Sequence, residues 1–359
     1  MIETHVVNAL LEKSLKDETF FKVLTFVNGL VAPSFLFCAG FALAITLQRK
    51  WADFTQLKYP LWRYIVRLLF ILVVAYSLHL PFFSLKRLRE LTDQNVWLPF
   101  FQSDILQVIA ITLFLLVLLA IIFRNQSMFL RIASILTLII VFISPIVREM
   151  DHSALPVWFR PYLTMQFESQ FPLFPWSAFL MTGTIGGYFF LKAKTEGRDA
   201  AFMKKLGVGS LIIILLSLAI EYRPMTIYPS HDFWRASPEF FFVRLGLVCL
   251  IGFGLWSYEQ KRTASTASVM SILGQESLLV YTVHLLVVYG RTYDWSFIRL
   301  FGPTLSYSAC FGLFAALTAA MYLMAYVWHW LKARDARLAK GVQFAVLATI
   351  VAVFLVKPD

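Results

Sequence analysis

The chain has 359 residues, of which 59% are hydrophobic and 15% are charged, and its formal net charge is +11 at pH 7. This much apolar side chain excludes a water-soluble globular protein, because a soluble fold of this length cannot bury it. The positive charge is typical of cytoplasmic loops, where Lys and Arg accumulate, so no nucleic-acid partner is predicted.

Cysteine and histidine usage excludes two further classes. The three cysteines, Cys38, Cys249 and Cys310, all lie in apolar stretches and form neither a disulfide framework nor a zinc spacing. The six histidines are scattered along the chain, so no metal site is predicted. Residues 1–19 have no apolar core and do not resemble a cleavable signal peptide.

Ten apolar stretches predict the fold. A helix of about 20 apolar residues crosses a bilayer because it satisfies its own backbone hydrogen bonds, which lipid cannot do. We therefore expect an all-α polytopic membrane bundle of about ten helices, with residues 1–359 as one domain. The stretches run over 20–47, 61–83, 105–123, 127–146, 172–192, 206–222, 239–258, 268–290, 304–331 and the short 341–356.

The loops between these stretches alternate in character. One set is mostly basic and short, at 48–59, 124–126, 192–205, 259–263 and 332–340. The other set is mostly longer and rich in Pro and aromatic residues, at 84–104, 147–171, 223–238 and 291–303. The positive-inside rule makes the first set cytoplasmic and the second external, so residues 1–19 are expected to be external.

Four stretches together resemble a known family. They are FVNGLVAPSFLFCAGFALAI at 26–45, FFQSDILQVIAI at 100–111, QFPLFPWSAFLMTG at 170–183 and ILGQESLLVYTVHLLVVYG at 272–290. They are similar to the bacterial relatives of heparan-alpha-glucosaminide N-acetyltransferase, within the wider group of transmembrane acyltransferases. The resemblance covers about residues 3–330, and FPLFPW is its most specific part.

The resemblance implies a fold and an activity. It implies eleven helices in a bacterial inner membrane, with acetyl-CoA as the cytoplasmic acyl donor and a glycan or amino sugar as the external acceptor. It also permits a homodimer surrounded by membrane lipid. The family's first helix carries an Asp and an Arg-Gly pair that are absent here, so we expect that helix to lie upstream of Met1.

The chemistry calls for a base and a donor. An amine or hydroxyl loses a proton as it attacks a thioester, which calls for a base with a pKa near neutral, usually histidine. His5 resembles the histidine at the outer end of the family's first helix and is the leading candidate, with an exposed histidine in an irregular tail as the alternative. His284 shares a predicted helix face with Ser277 and Tyr281, either at the site or in a helix-to-helix hydrogen bond.

Two further residues are candidates around the transfer point. The amide of Asn28 could donate to a carbonyl oxygen, although packing by the neighbouring glycine is the alternative. Asp104 could orient a histidine such as His79, or it could cap its helix ahead of Gln107, and these two roles can coexist.

Substrate and donor contacts are predicted from charge and aromaticity. Arg244, buried in a predicted span, could bind an anionic substrate group or form an ion pair with Glu239 or Glu221. Trp176 could stack on a sugar or belong to the aromatic belt at the membrane interface, as could Trp158, Tyr228 and Trp234. Three cations near cytoplasmic ends could bind coenzyme A phosphates or merely mark topology: Arg63, Arg67 and Arg131.

The predicted function is transfer of an acetyl group from cytoplasmic acetyl-CoA to an amino or hydroxyl group of an external sugar. We favour direct attack by the sugar within a ternary complex over a route through an acetylated histidine. Two other functions stay open. They are a transporter or flippase for a sugar or lipid-linked glycan, and an inactive relative with a scaffold role.

Overall fold

The computed structural model describes residues 1–165, 168–222, 228, 236–261, 269–290 and 295–357. Helices account for 82% of the structure, and no β-strand occurs in these ranges. The predicted all-α class is therefore confirmed.

The described part contains fifteen α-helices, numbered here in chain order. They are α1 (Ile2–Leu10), α2 (Thr19–Asn28), α3 (Val31–Thr55), α4 (Tyr59–Ser77), α5 (Leu85–Glu90), α6 (Ile105–Phe123), α7 (Gln126–Glu149), α8 (Leu173–Thr195), α9 (Asp199–Glu221), α10 (Pro238–Lys261), α11 (Val269–Gln275), α12 (Ser277–Tyr289), α13 (Phe297–Phe301), α14 (Tyr307–Arg334) and α15 (Ala336–Val356). Short 3₁₀ helices lie at Lys13–Asp17, Gln94–Phe101 and Arg160–Tyr162.

The helices account for nearly all of the predicted spans. Within the described residues, eight candidates for crossing a membrane are long and apolar enough, or nine if α11 and α12, which are bent by 82° at their junction, form one broken span. These nine match nine of the ten predicted stretches. The tenth, 172–192, forms the 23-residue helix α8, whose Ser, Thr and Gly residues are largely buried and lower its hydropathy.

The chain divides into two compact units. The first comprises residues 1–28, 80–97 and 263–359, and the second comprises 29–79 and 98–262. The expectation that 1–359 form a single transmembrane domain stays a prediction.

The core of the first unit is built around α1. Val6, Val7 and Leu10 are fully buried and pack in one cluster with Val288 of α12 and Cys310 of α14. The end of α1 is tied down by backbone hydrogen bonds, since Leu305 N–H donates to Leu10 O at 2.9 Å and Glu12 N–H donates to Leu305 O at 3.0 Å. This packing fixes the face of α1 that carries His5.

The core of the second unit depends on a close crossing of α3 and α8. A Cβ atom added at Gly40 would lie 1.9 Å from the Leu180 carbonyl oxygen, and one at Gly183 would lie 2.0 Å from the Phe37 carbonyl oxygen. Only glycine allows two helix backbones to approach this closely, a device common in membrane helix packing.

Candidate active site

Two histidines meet in the first unit, in what we call the double-histidine cluster: His5, Tyr281, His284 and Tyr289. The rings of His5 and His284 have centroids 5.3 Å apart and are tilted by 48°. Tyr281 contacts His284 edge to face at 5.7 Å, and Tyr289 contacts His5 edge to face at 5.6 Å. The short helix α1 supplies one residue and α12 supplies three, which the spacing on α12 anticipated for Tyr281 and His284.

His284 is held in one tautomer. Its Nδ1 lies 2.7 Å from the carbonyl oxygen of Val280, which can only accept, so Nδ1 carries the hydrogen. In the neutral imidazole, Nε2 then bears a free lone pair. His284 is 0% exposed, and its Nε2 has no hydrogen-bond partner among the described residues. A buried acceptor without a hydrogen-bond partner costs the protein about 1–3 kcal/mol. The Nε2 atom of His284 is therefore available to bind a ligand.

His5 is placed differently. It lies in the regular helix α1 and is partly buried, so the alternative of an exposed histidine in an irregular tail is wrong. Its Nδ1 lies 3.4 Å from the hydroxyl of Tyr289, which also donates to the backbone oxygen of His5 at 3.3 Å. Tyr289 therefore restrains both the ring and the backbone of His5.

Other buried polar atoms surround α1. Five of the eight buried side-chain polar atoms that have no hydrogen-bond partner in the described part lie in the first unit. They belong to Glu3, Thr4, His284, Ser296 and Thr318. They come from α1 and from helices or segments that pack beside it, so the surroundings of α1 are polar but incompletely hydrogen-bonded.

A charged cluster holds the junction between α11 and α12. Glu276 is 5% exposed and accepts a hydrogen bond from the ammonium of Lys332, while His329 Nδ1 lies 3.3 Å from the same carboxylate. Ser277 follows it as the first residue of α12, seven residues and about 10 Å of helix before His284. Its predicted place on the face of Tyr281 is kept, but it does not contact the histidines directly.

Asn28 is the last residue of α2 and is partly exposed. No hydrogen bond of its side chain occurs within the described residues, so its role as an oxyanion donor stays a prediction.

Asp104 belongs to the second unit, where it has both predicted relationships. Its Oδ1 accepts from Ile105 N–H at 2.7 Å, and Gln107 Oε1 accepts from Asp104 N–H at 3.3 Å, which is a capping box at the start of α6. Its Oδ2 lies 3.6 Å from His79 Nε2, and the amide nitrogen of Gln102 lies 2.8 Å from His79 Nδ1. Asp104 thus caps a helix and faces a histidine at once.

The loop beside Asp104 is fixed by serines. Ser169 Oγ accepts from Ser103 N–H at 3.1 Å, and Ser103 Oγ donates to Phe171 O at 2.7 Å. Nearby, Tyr162 shares a short hydrogen bond with Tyr76, and burial together with this bond raises the pKa of Tyr162. These contacts order the loop that leads into the FPLFPW segment.

Arg244 lies on α10 among aromatic rings. Its guanidinium is 3.8 Å from the ring centroid of Phe240 and 5.6 Å from that of Trp176. The described part of the chain holds no carboxylate within ion-pair distance of it, so the predicted pair with Glu239 or Glu221 is wrong for these residues.

Trp176 itself is only 9% exposed and is enclosed by Phe171 at 4.8 Å and Phe179 at 5.9 Å. This geometry favours packing over sugar stacking. Trp158 is exposed, Tyr228 is half-buried, and Trp234 lies outside the described residues.

The three predicted phosphate-binding arginines are all exposed in the second unit. Arg63 and Arg67 are one turn apart on α4, and Arg63 lies 5.8 Å from the ring of Tyr59. Arg131 lies near the start of α7. Their role in binding the donor stays a prediction.

Two side-chain contacts could not be predicted from the sequence. Tyr289 meets His5 across 284 residues of chain, and Lys332 meets Glu276 across 56, so no local periodicity could have paired them. The available signal was a carboxylate within an apolar stretch, since such a group requires a partner.

The comparison with known families decides the assignment. The family model described as heparan-alpha-glucosaminide N-acetyltransferase, catalytic, matches residues 1–219. The chain belongs to this family. Membership in the heparan-alpha-glucosaminide N-acetyltransferase family, together with the apolar helices, indicates a multi-pass membrane acetyltransferase. No curated protein and no solved structure matches the chain.

The match to the heparan-alpha-glucosaminide N-acetyltransferase family covers some site residues and not others. It includes His5, Asn28 and Asp104, whereas His284 and Arg244 lie beyond residue 219. His284 and Arg244 are therefore candidates on their geometry alone.

Proposed function

We propose that the chain transfers an acetyl group from cytoplasmic acetyl-CoA to an amino or hydroxyl group of an extracytoplasmic sugar, in a bacterial inner membrane. The family match supports acetyl transfer, and the positive-inside pattern supports the sidedness. The observation that carries the proposal is the buried, unpartnered Nε2 of His284 beside His5.

The chemistry follows from the tautomer of His284. The acceptor N–H or O–H donates to Nε2, which takes the proton as the nitrogen or oxygen attacks the thioester carbonyl carbon. The tetrahedral intermediate then collapses, the C–S bond breaks, and coenzyme A leaves as a thiolate that regains a proton. The imidazolium formed on His284 keeps its hydrogen bond from Nδ1 to Val280 O. General-base catalysis of this kind contributes roughly 10²–10⁴-fold in rate.

The geometry divides the roles of the two histidines. The sequence favoured His5 as the base, and the structure places its Nδ1 3.4 Å from the Tyr289 hydroxyl. We assign the base to His284, because its Nε2 is buried and has no hydrogen-bond partner among the described residues, and we assign a supporting role to His5. Two imidazoles this close disfavour double protonation, since like charges repel, so the imidazolium formed on His284 keeps His5 neutral.

His284→Asn tests the proposal, because the Asn side chain can still donate to Val280 O but has no counterpart of Nε2. The measurement is release of coenzyme A from acetyl-CoA by the purified full chain in lipid nanodiscs, with glucosamine and with glucose as acceptors. We expect a loss of about 100-fold or more, within the range for a lost general base.

His152→Asn is the matched control for this experiment. His152 is also a buried histidine whose Nδ1 is held by a backbone oxygen, that of Met150, but it lies in a loop of the second unit. This variant should keep the wild-type rate. Undiminished acetyl transfer by His284→Asn would rule out the assignment of the base.

One observation favours a second function. The 82° bend between α11 and α12, with Glu276 buried at the break, is the kind of discontinuous helix that transporters use for ion or substrate sites. A transporter or flippase does not consume acetyl-CoA, so the same assay separates the two functions. Sugar uptake by vesicles with no release of coenzyme A would favour transport.

A further inference from the structure

Arg244 occupies an unusual position in the second unit. It lies in the second turn of α10 and folds back over the ring of Phe240, one turn earlier, at 3.8 Å. Trp176 of α8 approaches the same guanidinium at 5.6 Å. Trp176 is itself clamped by Phe171 and Phe179, so the rings that hold Arg244 are fixed.

The charge of Arg244 is not balanced by these rings. A guanidinium stacked on an aromatic face is attracted to it, but its N–H groups point outward in the guanidinium plane and find no acceptor in a ring face. No carboxylate in the described part lies within ion-pair distance of Arg244, although Glu239 sits five residues earlier on the same helix. A charged side chain in a membrane helix ordinarily faces a partner or a polar cavity.

We propose that Arg244 binds an oxyanion, and we assign this oxyanion to a carboxylate, sulfate or phosphate substituent of the acceptor sugar. The fork of guanidinium N–H groups matches two oxygens of such a group, which is the geometry that favours Arg over Lys. This assignment rests on the proposed acetyl transfer, and it narrows the acceptor to an acidic sugar. The same chemistry could come from an anionic lipid headgroup, which the experiment separates.

The experiment measures binding by thermal stabilisation of the full chain in neutral detergent. The probes are glucosamine, glucosamine 6-sulfate, muramic acid and, in a separate arm, phosphatidylglycerol. We expect the two acidic sugars to bind at least about 10-fold more tightly than glucosamine, as befits a charge-assisted bidentate contact. Arg244→Gln should reduce their affinity to that of glucosamine, and Arg244→Lys should keep the charge but recover only part of the difference.

Arg334→Gln is the matched control, because Arg334 also lies over a tryptophan ring, that of Trp330 at 5.0 Å, but at the exposed end of α14. It should bind the acidic sugars as the wild type does. Equal affinity of the wild type for glucosamine and its acidic derivatives would overturn the proposal, as would acidic-sugar binding that survives Arg244→Gln. Stabilisation by phosphatidylglycerol alone would overturn the assignment to the acceptor. If Arg244→Gln does not fold, the wild-type affinities and Arg244→Lys still decide.

The binding measurement separates a failure of this assignment from a failure of the proposed acetyl transfer. Binding of acidic sugars needs no turnover, and His284→Asn should retain it. Acidic-sugar binding without any consumption of acetyl-CoA would defeat the acetyltransferase and leave the oxyanion site. If acetyl-CoA is consumed with equal kcat/KM on neutral and acidic acceptors, the acetyltransferase activity stands and the oxyanion site is ruled out.

Discussion

The imidazole rings of His5 and His284 lie 5.3 Å apart, although 279 positions of sequence separate them. The first comes from a nine-residue helix and the second from the C-terminal half of α12. Of these two histidines, His284 has its Nδ1 against a backbone carbonyl, whereas His5 has its Nδ1 against the Tyr289 hydroxyl, so the two rings are neighbours with different hydrogen bonds.

The first prediction is that the two histidines act as a unit. His284→Asn should lower kcat about 100-fold or more, and His5→Asn should lower it about 10-fold. The double variant should be no slower than His284→Asn, because groups that serve one proton transfer are not additive. Multiplicative losses in the double variant, measured as release of coenzyme A, would show that they act separately.

The second prediction concerns Tyr289. Tyr289→Phe removes the hydroxyl that donates to His5 O and faces His5 Nδ1. One hydrogen bond is worth about 0.5–1.5 kcal/mol, so kcat should fall by roughly 2- to 12-fold while KM for acetyl-CoA stays unchanged. Tyr326→Phe, at an exposed position on α14, is the control. A change confined to KM would argue against a positioning role for Tyr289.

The third prediction separates the two roles of Asp104. Asp104→Ala should lower stability by about 0.5–2 kcal/mol because it loses the cap of α6, whereas Asp104→Asn should keep the cap. If the carboxylate also orients His79, Asp104→Asn should still slow acetyl transfer. Asp335→Asn is the matched control, since Asp335 caps α15 by accepting from Arg337 N–H and Leu338 N–H. If Asp104→Asn and Asp335→Asn transfer acetyl at the same rate, Asp104 acts only as the cap of α6.

The fourth prediction tests the crossing of α3 and α8. Gly40→Ala and Gly183→Ala should each destabilise the protein by about 3 kcal/mol or more, because the new methyl overlaps a backbone carbonyl that cannot move aside. Gly209→Ala on α9 meets open space and should be neutral or stabilising by up to about 1 kcal/mol. The midpoint of thermal unfolding in detergent measures the effect of all three substitutions. An unchanged midpoint in Gly40→Ala would contradict the close crossing of α3 and α8.

The fifth prediction concerns the junction of α11 and α12. Lys332→Met leaves the carboxylate of Glu276 buried without its closest cation, so the unfolding midpoint should fall. Because Lys332 is itself 42% exposed, we expect a loss of only about 1–2 kcal/mol. Adding Glu276→Gln should restore most of it, since the uncompensated charge is then gone. A double variant less stable than Lys332→Met would mean that Glu276 has another essential partner.

Much of the fold could be predicted because lipid leaves so few choices. Apolar length locates the spans, and the Asp104 to Gln107 spacing predicts a cap that the structure forms. The small polar residues of α8 lower its hydropathy because they serve helix contacts, and no local pattern shows which helix they contact. The 82° break at Glu276 also escaped, because the stretch 268–290 reads as one continuous helix.

The site was predictable in part. The spacing of Tyr281 and His284 on one helix face gave half of the double-histidine cluster, and the resemblance supplied His5. The sequence could not predict the tautomer of His284, because that depends on the backbone oxygen of Val280. Nor could the sequence predict that the aromatic rings of Trp176 and Phe240, and no carboxylate of the described residues, would contact Arg244.

The bend before α12 leaves a helix too short to cross a bilayer alone. Thirteen helical residues span about 20 Å, which is less than the roughly 30 Å of hydrocarbon in a bilayer. Backbone groups released at a break need partners within the protein, because lipid offers none. Since Glu276, His329 and Lys332 also lie at or beside this break, α11 and α12 can cross a membrane together only where neighbouring helices shield these charges from lipid.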